Sequence, residues 1–145
     1  MEEQNYSNHK RYYIPHHFVF YSSVLVLTGL GVYKGITDEP LRWVWFFLSA
    51  LTMMIAWLSY MLRQHYALTL QDRLILQEMR YRYFVLTGER FELVEERLSK
   101  GQIFALRFAP DDELVLLVKR ALDEKLSGDA IKRSIKNWKA DRIRV

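Results

Sequence analysis

The chain has 145 residues, 50% of them apolar, and 21 Lys and Arg against 17 Asp and Glu give it a net charge of +4. Its length and average composition are those of one ordinary domain. It contains no cysteine, which excludes disulfides, thiolate metal sites and cysteine nucleophiles.

Two uncharged apolar stretches lie near the N-terminus. Phe18–Tyr33 has 16 residues and Trp43–Leu62 has 20, without a single Asp, Glu, Lys or Arg. An α-helix of about 20 residues crosses a hydrocarbon core of roughly 30 Å. The first stretch reaches this length if residues 14–17 lie in the headgroup layer. The two stretches therefore predict a transmembrane helical hairpin.

The hairpin divides the chain into three predicted parts. Residues 1–13 form a cytoplasmic N-terminal segment, the hairpin has spans at about 14–35 and 41–62, and residues 63–145 form a cytoplasmic helical domain. Lys and Arg are more frequent outside the hairpin than in its short connection. The positive-inside rule then places both termini in the cytoplasm.

Small side chains mark the faces on which the two spans are predicted to touch, because they let helix backbones approach closely in lipid. These residues are Thr28, Gly31, Gly35, Ser49, Thr52, Ala56 and Ser59. Packing within one chain is the first interpretation, and homodimerisation through Gly31 and Gly35 is the alternative. No ionisable residue lies in the middle of either span, so nothing indicates a proton relay or an ion path.

The rest of the chain has helical patterns. Neither glycine nor proline occurs between Leu41 and Leu86, so the second span is predicted to continue as a long juxtamembrane helix ending at Gly88. A capping-box pattern at Thr69 makes a break there the alternative. Caps further along, such as Ser99 and Ser127, predict a small bundle whose last helix is roughly Asp129–Lys139. The predicted fold class is all-α.

Four histidines are the candidates for a metal or haem site: His9, His16, His17 and His65. Imidazoles gathered at a bilayer edge can hold a transition metal or a haem. However, His16 and His17 are adjacent and project about 100° apart on a helix, unlike the i,i+4 spacing of helical metal pairs. Amphipathic rings in the interface are the simpler interpretation, so no cofactor is expected.

The C-terminus carries a basic cluster that consists of Lys132, Arg133, Lys136, Lys139, Arg142 and Arg144. Near a membrane, such a cluster can bind anionic headgroups at around 1 kcal/mol per residue, or a protein partner. The solvated face of a small bundle is the plainer interpretation. A nucleic acid is a third, distant one, because Leu126–Gly128 joins two short helices in the manner of a helix-turn-helix.

Catalytic patterns are missing from the sequence. There is no glycine-rich phosphate loop, no His-Glu-x-x-His motif and no recognisable Ser/His/Asp set. The acidic run Asp111–Glu113 follows Pro110, where helix starts favour acids. We therefore do not expect an enzyme.

Three stretches carry a resemblance: Asn5–Tyr21 (NYSNHKRYYIPHHFVFY), Ala105–Ala109 (ALRFA) and Ile135–Trp138 (IKNW). With these, the chain resembles a bacterial family of small two-span membrane proteins of unknown function, over nearly its full length. The resemblance implies a location in the bacterial inner membrane and supplies no catalytic or binding residues.

The hypothesis at this stage is an integral inner-membrane protein that acts as a scaffold or accessory subunit. Its basic cytoplasmic helices would contact a protein partner or anionic lipid. A redox- or metal-linked membrane protein that uses the membrane-edge histidines is the rival hypothesis. A membrane-tethered nucleic-acid binder is a more distant one.

Overall fold

The computed structural model describes residues 4–9 and 13–141, and among them it contains helices and no strand. The all-α prediction is therefore confirmed. The described residues divide into two compact units. One unit comprises residues 13–69, and the other comprises residues 4–9 together with residues 70–141.

The first unit contains helices α1 (Tyr21–Thr37) and α2 (Arg42–Met61). A π-helical segment, Pro15–Phe20, precedes α1, and a second one, Leu62–Ala67, follows α2. Helical backbone thus runs over 23 residues before the connection, a length of roughly 34 Å at 1.5 Å per residue. Both helices are long and apolar enough to cross a membrane.

The connection between α1 and α2 is a tight turn organised by Asp38. Its carboxylate accepts the backbone N–H of Leu41 at 3.4 Å and the indole N–H of Trp45 at 3.2 Å. Because α2 begins only at Arg42, Pro40 lies in the turn and not in the first helical turn.

Large apolar side chains cover the outer surface of the first unit. Leu25, Trp43 and Trp57 are 75%, 80% and 67% exposed. Of the 18 most apolar consecutive residues in each of the two helices, only 11% and 6% are buried. A core helix of a soluble domain is mostly buried, so these helices differ from that class.

The second unit is built from five helices: α3 (Leu68–Thr87), α4 (Glu92–Glu95), α5 (Lys100–Leu106), α6 (Asp111–Asp123) and α7 (Gly128–Ser134). The helical backbone runs without interruption from Arg42 to Thr87, so the alternative break at Thr69 is not observed. Gly88 then ends α3 with a positive φ of 74°, which glycine adopts without strain.

The core of the second unit consists of apolar side chains from α3, α5, α6, α7 and the connections, and the half-buried Val94 of α4 packs against it. The largest fully buried side chains are Phe91, Phe108, Met79, Leu106, Leu114, Ile131 and Val118. Both predicted caps are present. Ser99 and Gln102 form a capping box at the start of α5, and Ser127 accepts the N–H of Ala130. These caps satisfy donors that short helices would otherwise leave unpaired.

The last helix is shorter than predicted. It ends at Ser134, and Ile135 is extended at φ −71° and ψ 123°. The Glu113 carboxylate accepts the backbone N–H groups of Lys136 and Asn137, each at 3.0 Å. A side chain distant in sequence therefore replaces the continuing helix as hydrogen-bond partner, and the predicted helical stretch Asp129–Lys139 was wrong beyond residue 134.

Candidate functional site

The small residues predicted to form the helix contact lie on the mutually facing sides of α1 and α2. Gly31, Gly35 and Ser49 are buried, whereas Thr28, Thr52, Ala56 and Ser59 are half-buried. The Ser49 hydroxyl donates to the carbonyl of Trp45 at 3.0 Å and lies 3.4 Å from that of Thr28 across the contact. Small and weakly polar groups thus face inward, and the large apolar groups face outward.

The glycines of this contact have no room for a side chain. A Cβ atom at Gly31 would overlap the hydroxyl of Ser49, and one at Gly35 would lie 2.7 Å from the ring of Phe46. At Gly29, two residues away on the outer face, a Cβ atom would meet nothing within 4 Å. Gly31 and Gly35 therefore serve the packing of α1 on α2 within one chain.

An apolar groove of about 680 Å³ lies between the N-terminal π-helical segment and the end of α2. We call it the histidine groove. It is lined by Tyr13, Pro15, His16, His17, Phe20, Ile55, Leu58, Ser59, Leu62, Arg63 and Ala67. Both π-helical segments contribute to its wall, and such segments are often found at functional sites.

Apart from the hydroxyls of Tyr13 and Ser59, the polar groups of the histidine groove are basic, and none of the described acidic side chains lines it. His16 stacks on Phe20 with ring centroids 5.7 Å apart, and its Nε2 is buried with no hydrogen-bond partner within the described residues. Arg63 has no ion pair with residues 4–9 or 13–141. His17 Nδ1 lies 3.0 Å from the carbonyl of Tyr13. The groove therefore combines apolar walls with a positive charge and an unused imidazole nitrogen.

Residues 4–9 form an N-terminal strap that packs on the second unit. The Tyr6 hydroxyl donates to Asp129 at 2.7 Å and accepts from Arg133 at 3.0 Å. The guanidinium of Arg133 also lies 4.9 Å from the centre of the Tyr6 ring. Gln4 accepts the backbone N–H of Asp141 at 2.7 Å. Asn5–Tyr21, the first of the three stretches that carry the resemblance, therefore begins with residues that contact the rest of the second unit.

His9 is the buried anchor of the strap, at 8% exposure. Its ring centroid lies 6.2 Å from that of Phe108 and 5.8 Å from that of Trp138. Nδ1 is 2.6 Å from the carbonyl of Tyr6, and Nε2 is 3.2 Å from the ammonium of Lys132. A neutral imidazole with its proton on Nδ1 satisfies both contacts, because it donates to the carbonyl and accepts from lysine.

The predicted basic cluster is partly used inside the second unit. Lys132 and Arg133 contact the strap, and the Lys139 ammonium lies 3.4 Å from Glu78. The Tyr6 hydroxyl, and then the charges of Arg133 and Lys132, hold the pKa of Asp129 below its ordinary value. Lys136 is exposed, and Arg142 and Arg144 lie outside the described residues. Binding of anionic lipid, protein or nucleic acid by this cluster stays a prediction.

Comparison with known protein families matches residues 1–145 to a family of unknown function, DUF6526. The chain belongs to this family. No curated protein and no solved structure matches it. The family is the one that the sequence resemblance indicated, and it brings no activity with it.

The four histidines of this family member divide between the two units. His9 belongs to the strap, His16 and His17 line the histidine groove, and His65 is exposed on the second π-helical segment. No group of three or more His, Asp or Glu that could hold a metal ion occurs in the part of the chain that the structure describes. The metal hypothesis stays a prediction.

Sequence reasoning missed a buried arginine that ties three segments together. Arg82 is 6% exposed and donates to Asp111 through Nε and Nη2, at 2.9 and 2.7 Å. It also donates to the carbonyls of Arg107 and Ala109, at 3.0 and 2.7 Å. The Arg82 guanidinium holds the pKa of Asp111 below its ordinary value. Helix α3 contains Arg73, Arg80 and Arg82, and the sequence does not indicate which of them is buried.

Proposed function

We propose that this protein is an integral membrane scaffold. The α1–α2 hairpin crosses the bilayer, both termini lie in the cytoplasm, and the unit of residues 4–9 and 70–141 holds a protein partner at the bacterial inner membrane. The observation that carries the proposal is the reversed polarity of the hairpin, with glycine and serine inside and leucine and tryptophan outside. Lipid solvates such a surface and water does not.

Length and end groups support the same proposal. The two helical stretches match a hydrocarbon core of roughly 30 Å. Trp43 lies near the connection and Tyr66 near the other end of α2, where amphipathic aromatic rings favour the headgroup layer. The connection is only four residues long, and its Glu39 forms an exposed ion pair with Arg42, the first residue of α2.

Single-cysteine labelling tests the insertion and its direction, because the chain contains no cysteine of its own. In intact bacterial cells, a membrane-impermeant maleimide should label Glu39→Cys in the connection. It should leave Glu96→Cys, in the second unit, unlabelled until the membrane is opened. Labelling of both or of neither in intact cells contradicts the crossing, and the reverse pattern contradicts the direction.

A second candidate function rests on the histidine groove. We propose that it holds one phospholipid with an anionic headgroup, whose phosphate meets Arg63 and, once the His16 ring turns, its Nε2 atom, and whose acyl chain lies along Phe20, Ile55 and Leu58. The absence of acidic lining residues and the unused imidazole nitrogen favour an anion. A charge-assisted hydrogen bond from each group would orient the headgroup.

Mass spectrometry of the detergent-purified chain tests lipid retention. We expect a bound anionic phospholipid on the original chain and its loss in Arg63→Gln and His16→Phe. Lys34→Gln, at the other end of α1, is the matched control and should retain it. Equal retention by all variants, or a zwitterionic lipid in its place, would overturn the lipid site while leaving membrane insertion intact.

A further inference from the structure

Helix α3 has two apolar faces, and only one of them is used inside the chain. The inner face buries Ile75, Met79 and Tyr83, together with Arg82. The outer face carries Leu70, Leu74, Gln77, Tyr81 and Phe84, all exposed. The four apolar members of this outer set are 58%, 70%, 68% and 53% exposed, so none of the described residues covers this face. We call this set the α3 seam.

The α3 seam has the spacing of a coiled coil. Its members follow one another at intervals of four, three, four and three residues, which places Leu74 and Tyr81 at a positions and the other three at d positions. In this register, all the buried residues of α3 fall on b, c and f positions, on the far side of the helix. Helix α3 thus packs on its own domain through its b, c and f positions and exposes its a and d positions. Such a helix is suited to pairing with another helix.

Charges beside the α3 seam indicate a second copy of the same chain as the occupant. Arg73 and Arg80 occupy g positions, and Glu78 occupies an e position. In a parallel pair, a g residue faces the e residue of the following heptad of the other helix, so Arg73 faces Glu78 twice across the twofold axis. In an antiparallel pair, g residues face each other, and arginine would meet arginine. The pattern is self-complementary only in parallel.

The intramolecular contacts of these residues leave the pairing possible. Arg73 is exposed and makes no ion pair with any residue that the structure describes. Glu78 lies 3.9 Å from Arg82 and 3.4 Å from Lys139, and its side chain is 45% exposed. Arg80, by contrast, is already held by Glu95 through two hydrogen bonds at 2.7 and 2.9 Å. Arg73 and Glu78 are therefore the pair that a second chain would complete.

We propose that the protein forms a parallel homodimer through the α3 seam. The inference rests on the proposed membrane insertion in one respect: two hairpins inserted in the same direction are related by an axis perpendicular to the bilayer, as a parallel pair requires. Two heptads are marginal as a coiled coil in water, but confinement to one membrane raises the effective concentration of the second chain. The polar Gln77 in the middle of the seam fixes the register.

A cysteine scan in native membranes tests the proposal, with the full chain and its cysteine-free background. Single cysteines are placed at the exposed positions from Leu70 to Val85, and oxidation is followed by non-reducing electrophoresis. Disulfides need Cα atoms roughly 4.4–6.8 Å apart, a distance that a and d positions of a parallel pair approach. We expect fast dimers at Leu74, Gln77 and Tyr81, and at least tenfold slower ones at a further single cysteine at Leu86, which is exposed on the f side.

Equal rates at every exposed position, or no dimer at any of them, would overturn the α3 seam. Carbonate extraction of the same variants keeps this result separate from the hairpin. Chains that stay in the membrane but do not cross-link contradict the dimer alone, whereas chains that are washed out contradict the membrane scaffold.

A charge exchange tests the parallel register. In the Gln77→Cys background, Arg73→Glu sets like charges opposite Glu78, so we expect the cross-linking rate to fall by roughly threefold or more. Glu78→Arg should lower the cross-linking rate in the same way, and the variant that carries both exchanges should restore the original rate. A double variant as slow as the single ones would contradict the pairing of Arg73 with Glu78.

Discussion

The two units of this chain obey opposite packing rules. In residues 13–69, glycine and serine lie at the helix contact while leucine, phenylalanine and tryptophan cover the outside. In residues 4–9 and 70–141, phenylalanine, leucine and isoleucine fill the core, and charged side chains are frequent on the outside. The average composition of the whole chain, 50% apolar, does not show this difference between the units.

The comparison teaches that the surroundings decide which side chains a helix turns inward. In water, burial of apolar area supplies about 25 cal/mol per Å², so large side chains go inside. In hydrocarbon that gain vanishes between helices, and close backbone approach and weak polar contacts remain. Under the proposed insertion, Ser49 between Thr28 and Trp45 is such a contact, whereas the burial of Phe91, at 0% exposure, is driven by water.

The largest expected effect concerns the buried arginine of the second unit. Arg82→Ala leaves the carbonyls of Arg107 and Ala109 without their donor, and breaking a buried, hydrogen-bonded charge costs about 4 kcal/mol. Hydrogen exchange of the α5 and α6 amides should accelerate strongly in the full chain in detergent. Arg120→Ala removes an exposed pair with Glu124 and should leave the exchange unchanged. Equal effects of both would mean that burial does not govern this contact.

A pair of exposed leucines tests the comparison itself. Leu25, in the middle of the first span, is 75% exposed, and Leu93, in the second unit, is 72% exposed. Lysine at the centre of a span costs about 3 kcal/mol in insertion relative to leucine. Leu25→Lys should therefore lower the fraction of chains whose Glu39→Cys is labelled from outside, and Leu93→Lys should not. Tolerance of both lysines would mean that the two exposed surfaces face the same solvent.

The glycines give a smaller effect within the hairpin. Gly31→Ala places a methyl group against Ser49, and overpacking of this kind costs about 2 kcal/mol. We expect the contact between α1 and α2 to be lost at a lower temperature. The fluorescence of Trp45 measures this loss in a chain whose other tryptophans are replaced by phenylalanine. Gly29→Ala, on the open face, should match the parent chain or exceed it. A fall of equal size at Gly29 would contradict the assigned interface.

The smallest effect is a pH dependence of the second unit. Because Arg82 lowers the pKa of Asp111 in the folded state, the contribution of this carboxylate is present above the ordinary aspartate pKa of about 3.9 and is lost as pH falls through the lower folded value. Thermal unfolding below about pH 4 should therefore depend less on pH in Asp111→Asn than in the parent chain. The same pH dependence of thermal unfolding in the variant and in the parent chain would contradict this contribution of Asp111.

Local patterns predicted the parts of the fold that depend on local physics. The caps at Ser99 and Ser127 and the end of α3 at Gly88 each rest on residues a few positions apart in the sequence. The end of α7 could not be predicted, because Glu113 is more than 20 residues away from the amides that it binds. The docking of Tyr6 and His9 onto α7 and its flank is non-local in the same way.

Alkaline carbonate extraction of membranes that contain the full chain tests the central claim most directly. Carbonate strips proteins held at the surface and leaves those whose helices lie in the hydrocarbon. We predict that the chain stays in the sedimented membranes together with a known two-span protein, while a surface-bound control is released. Release of the intact chain into the supernatant would contradict the transmembrane hairpin and, with it, the scaffold proposed here.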